Sequence, residues 1–127
     1  MKKFFQALFL ISTLAAALFS CTKNTGPAEP VIILTSPTDT TTINAGDTVQ
    51  IVGSVSDNKD LHEFYFTLKN HTADTVVSYD NPYVHGAKIH HFAYQWITGD
   101  SAVYKLIIQV LDHDNHTRTK ELLVKVN

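Results

Sequence analysis

The sequence predicts an all-β fold, an antiparallel sandwich of two sheets built from about seven strands. Short segments alternate apolar and polar side chains, which is the period of a half-buried strand. Residues that favour turns, mainly Gly, Asp, Asn and Pro, separate these segments. After the N-terminal 30 residues, no stretch long enough for a confident helix repeats its apolar positions every 3.6 residues.

The first half of this region is predicted to contain four strands, at 31–34, 48–56, 62–69 and 75–79. The first is a short apolar run that ends at a Ser-Pro pair. The second and third alternate clearly, with Val and Ile or Phe and Leu on one side, and the fourth is weaker. Gly53 lies on the apolar side of the second strand, where a glycine indicates a bulge or a close approach of two backbones.

Three further strands are predicted at 89–97, 104–111 and 117–126. The sixth strand has the clearest core face, formed by Tyr104, Leu106, Ile108 and Val110. Tyr104 also follows a Gly-Asp turn, where sandwiches often carry a tyrosine corner, a tyrosine whose hydroxyl bonds back to the main chain. An ordinary half-buried aromatic ring is the alternative. The last strand directs Leu122, Val124 and Val126 inward.

The N-terminus has the layout of a secretory signal peptide over residues 1–20. Two lysines precede an apolar stretch from residue 4 to 19, and the small Ser20 stands before Cys21. This ending resembles the bacterial lipobox, which implies cleavage before Cys21 and attachment of lipid to it. An apolar run of about 16 residues is shorter than the roughly 20 that span a bilayer. Residues 21–30 follow as the lipidated cysteine and a polar linker.

Removal of the leader leaves 107 residues (127 − 20), the size of one domain. It lowers the basic residues from 10 to 8 against 12 acidic ones, so the net charge becomes −4. Nucleic acid is therefore not expected as a partner, whereas the membrane is, through the lipid on Cys21. The residues after Cys21 lack an acidic run of the surface-export type, which favours an outer-membrane anchor that faces the periplasm.

Several motifs over residues 31–127 resemble those of bacterial immunoglobulin-like modules. They are Ser36-Pro37, Ala45-Gly46-Asp47-Thr48-Val49, the run 53–57, and the run 104–110 followed by Asp112, Asn115 and Thr117. Together with the lipobox and the histidines of Ile89-His90-His91, they make the sequence similar to a Bacteroidota lipoprotein family of unknown function. The resemblance implies an immunoglobulin-like sandwich over residues 31–127 and supplies no catalytic residue.

The chain contains seven histidines, and most are predicted to meet at one end of the sandwich. In an immunoglobulin-like sandwich, the loops after the second, fourth and sixth strands lie at the same end. Imidazole and carboxylate groups placed together suit zinc or copper. The alternative is a polar end without metal, because Asp and Asn are common in turns. His71 is predicted at the opposite end. The candidate ligands are His62, His85, His90, His113, His116, Asp112 and Asp114.

The predicted function is that of a non-catalytic, lipid-anchored module of the cell envelope, which binds a protein or glycan partner or forms a structural part of an assembly. Cys21 is the only cysteine, and its thiol is predicted to carry the lipid, so no thiol nucleophile remains. The sequence also contains no nucleophile elbow and no phosphate-binding loop. One alternative is a zinc- or copper-binding lipoprotein that uses the histidine-rich end. A second is a carbohydrate-binding module that stacks sugars on Tyr94 and Trp96, which requires exposed rings.

Overall fold

The computed structural model describes residues 28–127, which form eight strands. They are β1 (Val31–Ser36), β2 (Thr41–Ile43), β3 (Thr48–Ser56), β4 (Leu61–Asn70), β5 (Thr75–Asp80), β6 (Ile89–Ile97), β7 (Ala102–Asp112) and β8 (Thr117–Val126). Within this range there is no helix of the length and apolar character needed to cross a membrane. The predicted signal peptide, Cys21 and most of the linker lie outside the described residues.

The strands form two sheets, which confirms the predicted sandwich. One sheet has the order β1-β3-β6, and the other has the order β2-β8-β7-β4-β5. All seven predicted strands are present, and their ends agree with the predicted ends to within two residues. The eighth, β2, was not predicted. It is three residues long and pairs with β8 in parallel, at Thr41↔Val124, so it is too short for its side-chain alternation to be recognised.

The core lies between the two sheets and is formed by the inward side chains of every long strand. The β4–β7 pair supplies its centre, where Phe64, Ile108 and Val110 are fully buried. Alternate residues of β7 are buried, as the sequence predicts for its Tyr104 to Val110 face. Burial of this apolar surface is the main stabilising contribution available to the domain.

Gly53 lies where two strands and an aromatic ring come together. It pairs with Leu34, next to an irregularity in the β1–β3 register. A Cβ at this position would collide with the carbonyl oxygen of Ile33 and would lie 2.6 Å from Cζ of Phe92. The glycine is therefore required by a close approach, as the sequence indicates.

Tyr104 forms the tyrosine corner. Its ring is buried, and its hydroxyl donates a hydrogen bond of 3.0 Å to the main-chain oxygen of Asp100, four residues earlier. The ring also packs against Trp96 of the opposite sheet, with 4.7 Å between centroids. The tyrosine thus ties the turn before β7 to the core.

We expect Ile108→Ala to lower the free energy of unfolding by about 2–5 kcal/mol, because it opens a cavity at a fully buried position. Urea denaturation measures this change. Ile97→Ala is the matched control, since Ile97 is 68% exposed and its truncation should change stability by less than about 0.5 kcal/mol. Equal midpoints for Ile108→Ala and the unmodified protein would contradict the assignment of the β7 core face.

Candidate functional site

Three histidines meet at one end of the sandwich, which we call the histidine pole and define by His62 and the loops 57–60, 81–88 and 113–116. The ring centroids of His62 and His113 are 4.8 Å apart, those of His85 and His113 are 4.4 Å apart, and those of His62 and His85 are 5.3 Å apart. One ring nitrogen from each residue lies within 4.8 Å of the other two. Three of the seven predicted ligands are therefore brought together.

A β-bulge sets the position of His62. In the β4–β7 ladder Leu61 pairs with Asp112 and Glu63 pairs with Leu111, so His62 is an extra residue without an opposite partner. Bulges redirect a side chain and are frequent beside functional sites. Leu61 remains fully buried while the His62 ring is half-buried.

The two ring nitrogens of His62 have different surroundings. Its Nε2 lies 3.9 Å from Oε1 of Glu63. Its Nδ1 is buried and has no hydrogen-bond partner among residues 28–127. Buried polar atoms in folded proteins are nearly always paired, so the Nδ1 atom indicates an interaction that these residues do not supply.

Main-chain hydrogen bonds hold His85 next to His62. The amide of Gly86 donates to the carbonyl of Leu61 at 3.0 Å, and the amide of Leu61 donates to the carbonyl of Ala87 at 2.7 Å. Val84, on the other side of His85, is buried in the core. The His85 side chain is exposed, but its backbone is therefore anchored to the bulged end of β4.

The carboxylate of Asp112 holds the turn that carries His113. Asp112 is only 3% exposed. Its Oδ1 accepts hydrogen bonds from the amides of Asp114 and His116, both at 2.8 Å, and its Oδ2 lies 2.7 Å from Nδ1 of His116. Asp114 in turn forms an ion pair of 2.7 Å with Lys59. Both oxygens of Asp112 are thus already used.

The charges of Asp112 and His116 support each other. Burial alone would raise the pKa of Asp112, but the hydrogen bonds from the His116 ring and from the main chain outweigh it, so the pKa is lowered. The hydrogen bond to Asp112 raises the pKa of His116. Asp112, Asp114 and His116 form a second group of possible ligands, but the Asp112 carboxylate and Nδ1 of His116 hold the turn, and the Asp114 carboxylate is paired with Lys59.

His90 belongs to neither group. It lies on the inward face of β6, and its ring packs 5.1 Å from that of Phe64. Burial lowers the pKa of His90, and the nearby His91 lowers it further. The structure thus places His90 outside the group of His62, His85 and His113, because strand pairing directs its side chain to the edge of the core. His71 lies in the turn between β4 and β5, at the opposite end as predicted, where its amide donates to the carbonyl of Val103.

Tyr94 and Trp96 are half-buried between the sheets. Tyr94 stacks on Phe66 with 4.0 Å between centroids, and its hydroxyl donates to Oδ2 of Asp80 at 2.7 Å. Burial and this hydrogen bond raise the pKa of Tyr94. Trp96 packs on Tyr104. Both rings border an open groove of about 370 Å³ beside β5, but neither forms an exposed platform for stacking a sugar ring.

The two sheets, their strand order and the tyrosine corner define an immunoglobulin-like β-sandwich. The chain belongs to the bacterial Ig domain family, which its sequence matches over residues 30–106. The chain matches no curated protein.

Three solved structures are similar to this chain. The fibronectin(III)-like modules of Clostridium thermocellum CbhA share 16% identity, with 76% of this chain and 94% of that chain covered and a TM-score of 0.48. A CARDB domain from Pyrococcus furiosus, in complex with di-metal ions, shares 11% identity over 80% and 96% of the two chains, with a TM-score of 0.46.

The third similar structure is a family 76 glycoside hydrolase from a bovine Bacteroides thetaiotaomicron strain, with 11% identity and a TM-score of 0.40. The match covers 77% of this chain but only 20% of the hydrolase. At these identities, the three likenesses concern the fold alone.

We expect His90 to make the protein less stable in mild acid. Its pKa is lower in the folded state than in the unfolded chain, so the folded state resists protonation. The stability linked to His90 is complete above about pH 6.5, the ordinary histidine value, and is lost as the pH falls through the folded-state pKa. Urea denaturation between pH 7.5 and 4.5 should show a smaller loss for His90→Gln than for the unmodified protein.

The comparison with His90→Gln isolates this effect, because Asp112 and His116 are present in both proteins. A His71→Gln variant controls for the removal of a histidine far from His90. Parallel stability curves for the unmodified protein and His90→Gln would show that burial of His90 has no effect on its titration.

Proposed function

We propose that the protein is a lipid-anchored, non-catalytic module of the bacterial cell envelope, exported by residues 1–20 and held on the membrane by lipid on Cys21. The lipobox-like ending at Cys21 is the observation that carries this proposal. Membership of the bacterial Ig domain family supports a binding or structural role. An outer-membrane anchor facing the periplasm, in a protein of the Bacteroidota, is part of the same proposal.

The position where the folded domain begins is consistent with a short tether. Pro30 is fully buried, and Glu29 forms an ion pair of 3.1 Å with Arg118 at the start of β8. Residues 22–29 therefore separate Cys21 from Pro30, the first buried residue of the described range. Fully extended, they span at most roughly 30 Å, so an anchored domain would stay close to the membrane.

The chain also enters the domain at the histidine pole. Val31 pairs with Ser56, which directly precedes the loop 57–60. Arg118, the partner of Glu29, follows the turn 113–116. In the proposed arrangement, the histidine pole is therefore the end of the domain nearest to the membrane.

The outer face of the β1-β3-β6 sheet favours a protein partner in the envelope. Val31, Ile33 and Ile89 are each at least half exposed on this face. Val31 and Ile89 lie in one row across the sheet, on either side of Ser56. Clustered apolar side chains of this kind mark interaction surfaces, whereas Tyr94 and Trp96 lack the exposure that a glycan partner requires.

We expect Cys21→Ser to abolish the incorporation of labelled fatty acid and to block processing of the leader, because the atom that accepts the lipid is gone. Metabolic labelling followed by electrophoresis measures both. Ser20→Ala is the matched control, since it keeps a small residue before the cysteine and should retain the label. Labelling of Cys21→Ser at the level of the unmodified protein would overturn the anchor.

We expect the anchored protein to migrate in a complex larger than a monomer when membranes are solubilised in mild detergent and separated by native electrophoresis. A double variant Ile33→Asp/Ile89→Asp should release the monomer, because it places two charges on the apolar face. Val76→Asp is the control, since Val76 is 64% exposed on β5 of the other sheet. Monomeric migration of the unmodified protein would contradict the binding role.

A further inference from the structure

We propose that His62, His85 and His113 bind one divalent transition-metal ion, zinc or copper(II), at the histidine pole. The observation that carries this inference is the convergence of three imidazole rings from three separate segments, with one nitrogen of each within 4.8 Å of the other two. Imidazole is a good ligand for both ions. The inference is independent of the lipid anchor and goes beyond a binding or structural role.

The distances suit a site that closes around an ion. Zinc–nitrogen bonds of about 2.0–2.1 Å in a tetrahedral site place the nitrogens roughly 3.3–3.4 Å apart. The three nitrogens lie within 4.8 Å of one another. The side chains of His85 and His113 are exposed, so rotation about their side-chain bonds can shorten these distances while the backbone stays in place.

The backbone beneath the three rings is already held in position. The Leu61 hydrogen bonds with Gly86 and Ala87 fix the loop of His85 against the bulge of His62. The carboxylate of Asp112 fixes the turn of His113. Binding would therefore order side chains rather than loops, which lowers its entropic cost.

The environment of His62 provides a second observation. Its buried Nδ1 lacks a partner within the described part of the chain, and the carboxylate of Glu63 lies 3.9 Å from its Nε2. Metal-binding histidines commonly place one nitrogen on the ion and direct the other toward a carboxylate or carbonyl. His62 thus has one nitrogen without a partner and a carboxylate near the other, and a shift of the Glu63 side chain would bring its oxygen from 3.9 Å to hydrogen-bond distance.

The neighbouring group of Asp112, Asp114 and His116 is a weaker candidate. A metal there would have to displace the hydrogen bonds that hold the β7–β8 turn and the ion pair with Lys59. In the proposed site, the three imidazoles leave the fourth tetrahedral position for water or a group from another molecule, as in zinc sites with three protein ligands.

The test is a calorimetric titration at pH 7.5 of the full chain in detergent, first with zinc sulfate and, in a separate experiment, with copper(II) sulfate. We expect one ion per chain and a dissociation constant below about 0.1 mM. His85→Ala and His113→Ala should each weaken binding by more than about 10-fold, since removing a ligand should exceed the effect of removing an outer partner. His71→Ala and His91→Ala, whose side chains are exposed and do not belong to the three-histidine group, should bind as the unmodified protein does.

Two further readouts keep the test decisive. Circular dichroism should show that His85→Ala and His113→Ala remain folded, because both side chains are exposed. The electron paramagnetic resonance spectrum of the copper complex should show imidazole nitrogens that decrease in number in each variant. Equal dissociation constants in all four variants, or no binding tighter than about 0.1 mM, would overturn the site. Because these readouts do not depend on lipid, failure of the anchor and failure of the metal site are distinguishable.

Discussion

The antiparallel pairing of β4 with β7 is the interaction on which the rest of the domain depends. Its inward side chains, including Phe64, Phe66 and Ile108, form the most deeply buried part of the core. The chain has a single cysteine, so no disulfide within it can substitute for this packing. Apolar burial is therefore the main source of its stability, within the net margin of about 5–15 kcal/mol that is usual for such domains.

The histidine pole lies at the end of this pair and is a direct consequence of how the pair ends. Regular pairing stops between Leu61 and Glu63. Leu61 stays in the core and its backbone holds the β5–β6 loop, while the extra residue, His62, is free to meet the other two histidines. Opposite Leu61, Asp112 ends β7 and holds the next turn with its buried carboxylate. The bulge at His62 thus lets its ring lie beside those of His85 and His113, which belong to two other segments.

This arrangement separates two kinds of polar group that look alike in the sequence. Asp112 and His116 are bonded to each other and hold the backbone. His85 and His113 have exposed side chains on a backbone held by other groups. A ligand must have a side chain that is not already engaged in hydrogen bonds, as in His85 and His113. Its backbone must be held in place by other residues, as Asp112 holds the turn of His113. In the proposed anchored state, this site would face the membrane or a partner lying on it.

The sequence by itself determined the all-β class, the positions of seven strands and the core face of β7. These features depend on the alternation of side chains and on turn chemistry within a few residues, which are local. For Tyr104 the sequence left a tyrosine corner and an ordinary half-buried ring as alternatives, and the structure shows the corner, with a hydrogen bond that reaches four residues back along the chain. For Gly53 it left a bulge and a close approach as alternatives, and the contacts that require the glycine come from Ile33 and Phe92 on other strands.

Only the tertiary structure decided the features that depend on pairing between distant segments. It adds β2 to the edge of β8, pairs β5 with β4, and introduces the bulge that redirects His62. It also places the His90 side chain at the edge of the core, and it shows that the Asp112 carboxylate accepts the hydrogen bonds that hold the β7–β8 turn. A shift of one residue in register changes the face on which a side chain lies. Neither composition nor periodicity records such a shift, and it decides which histidines meet.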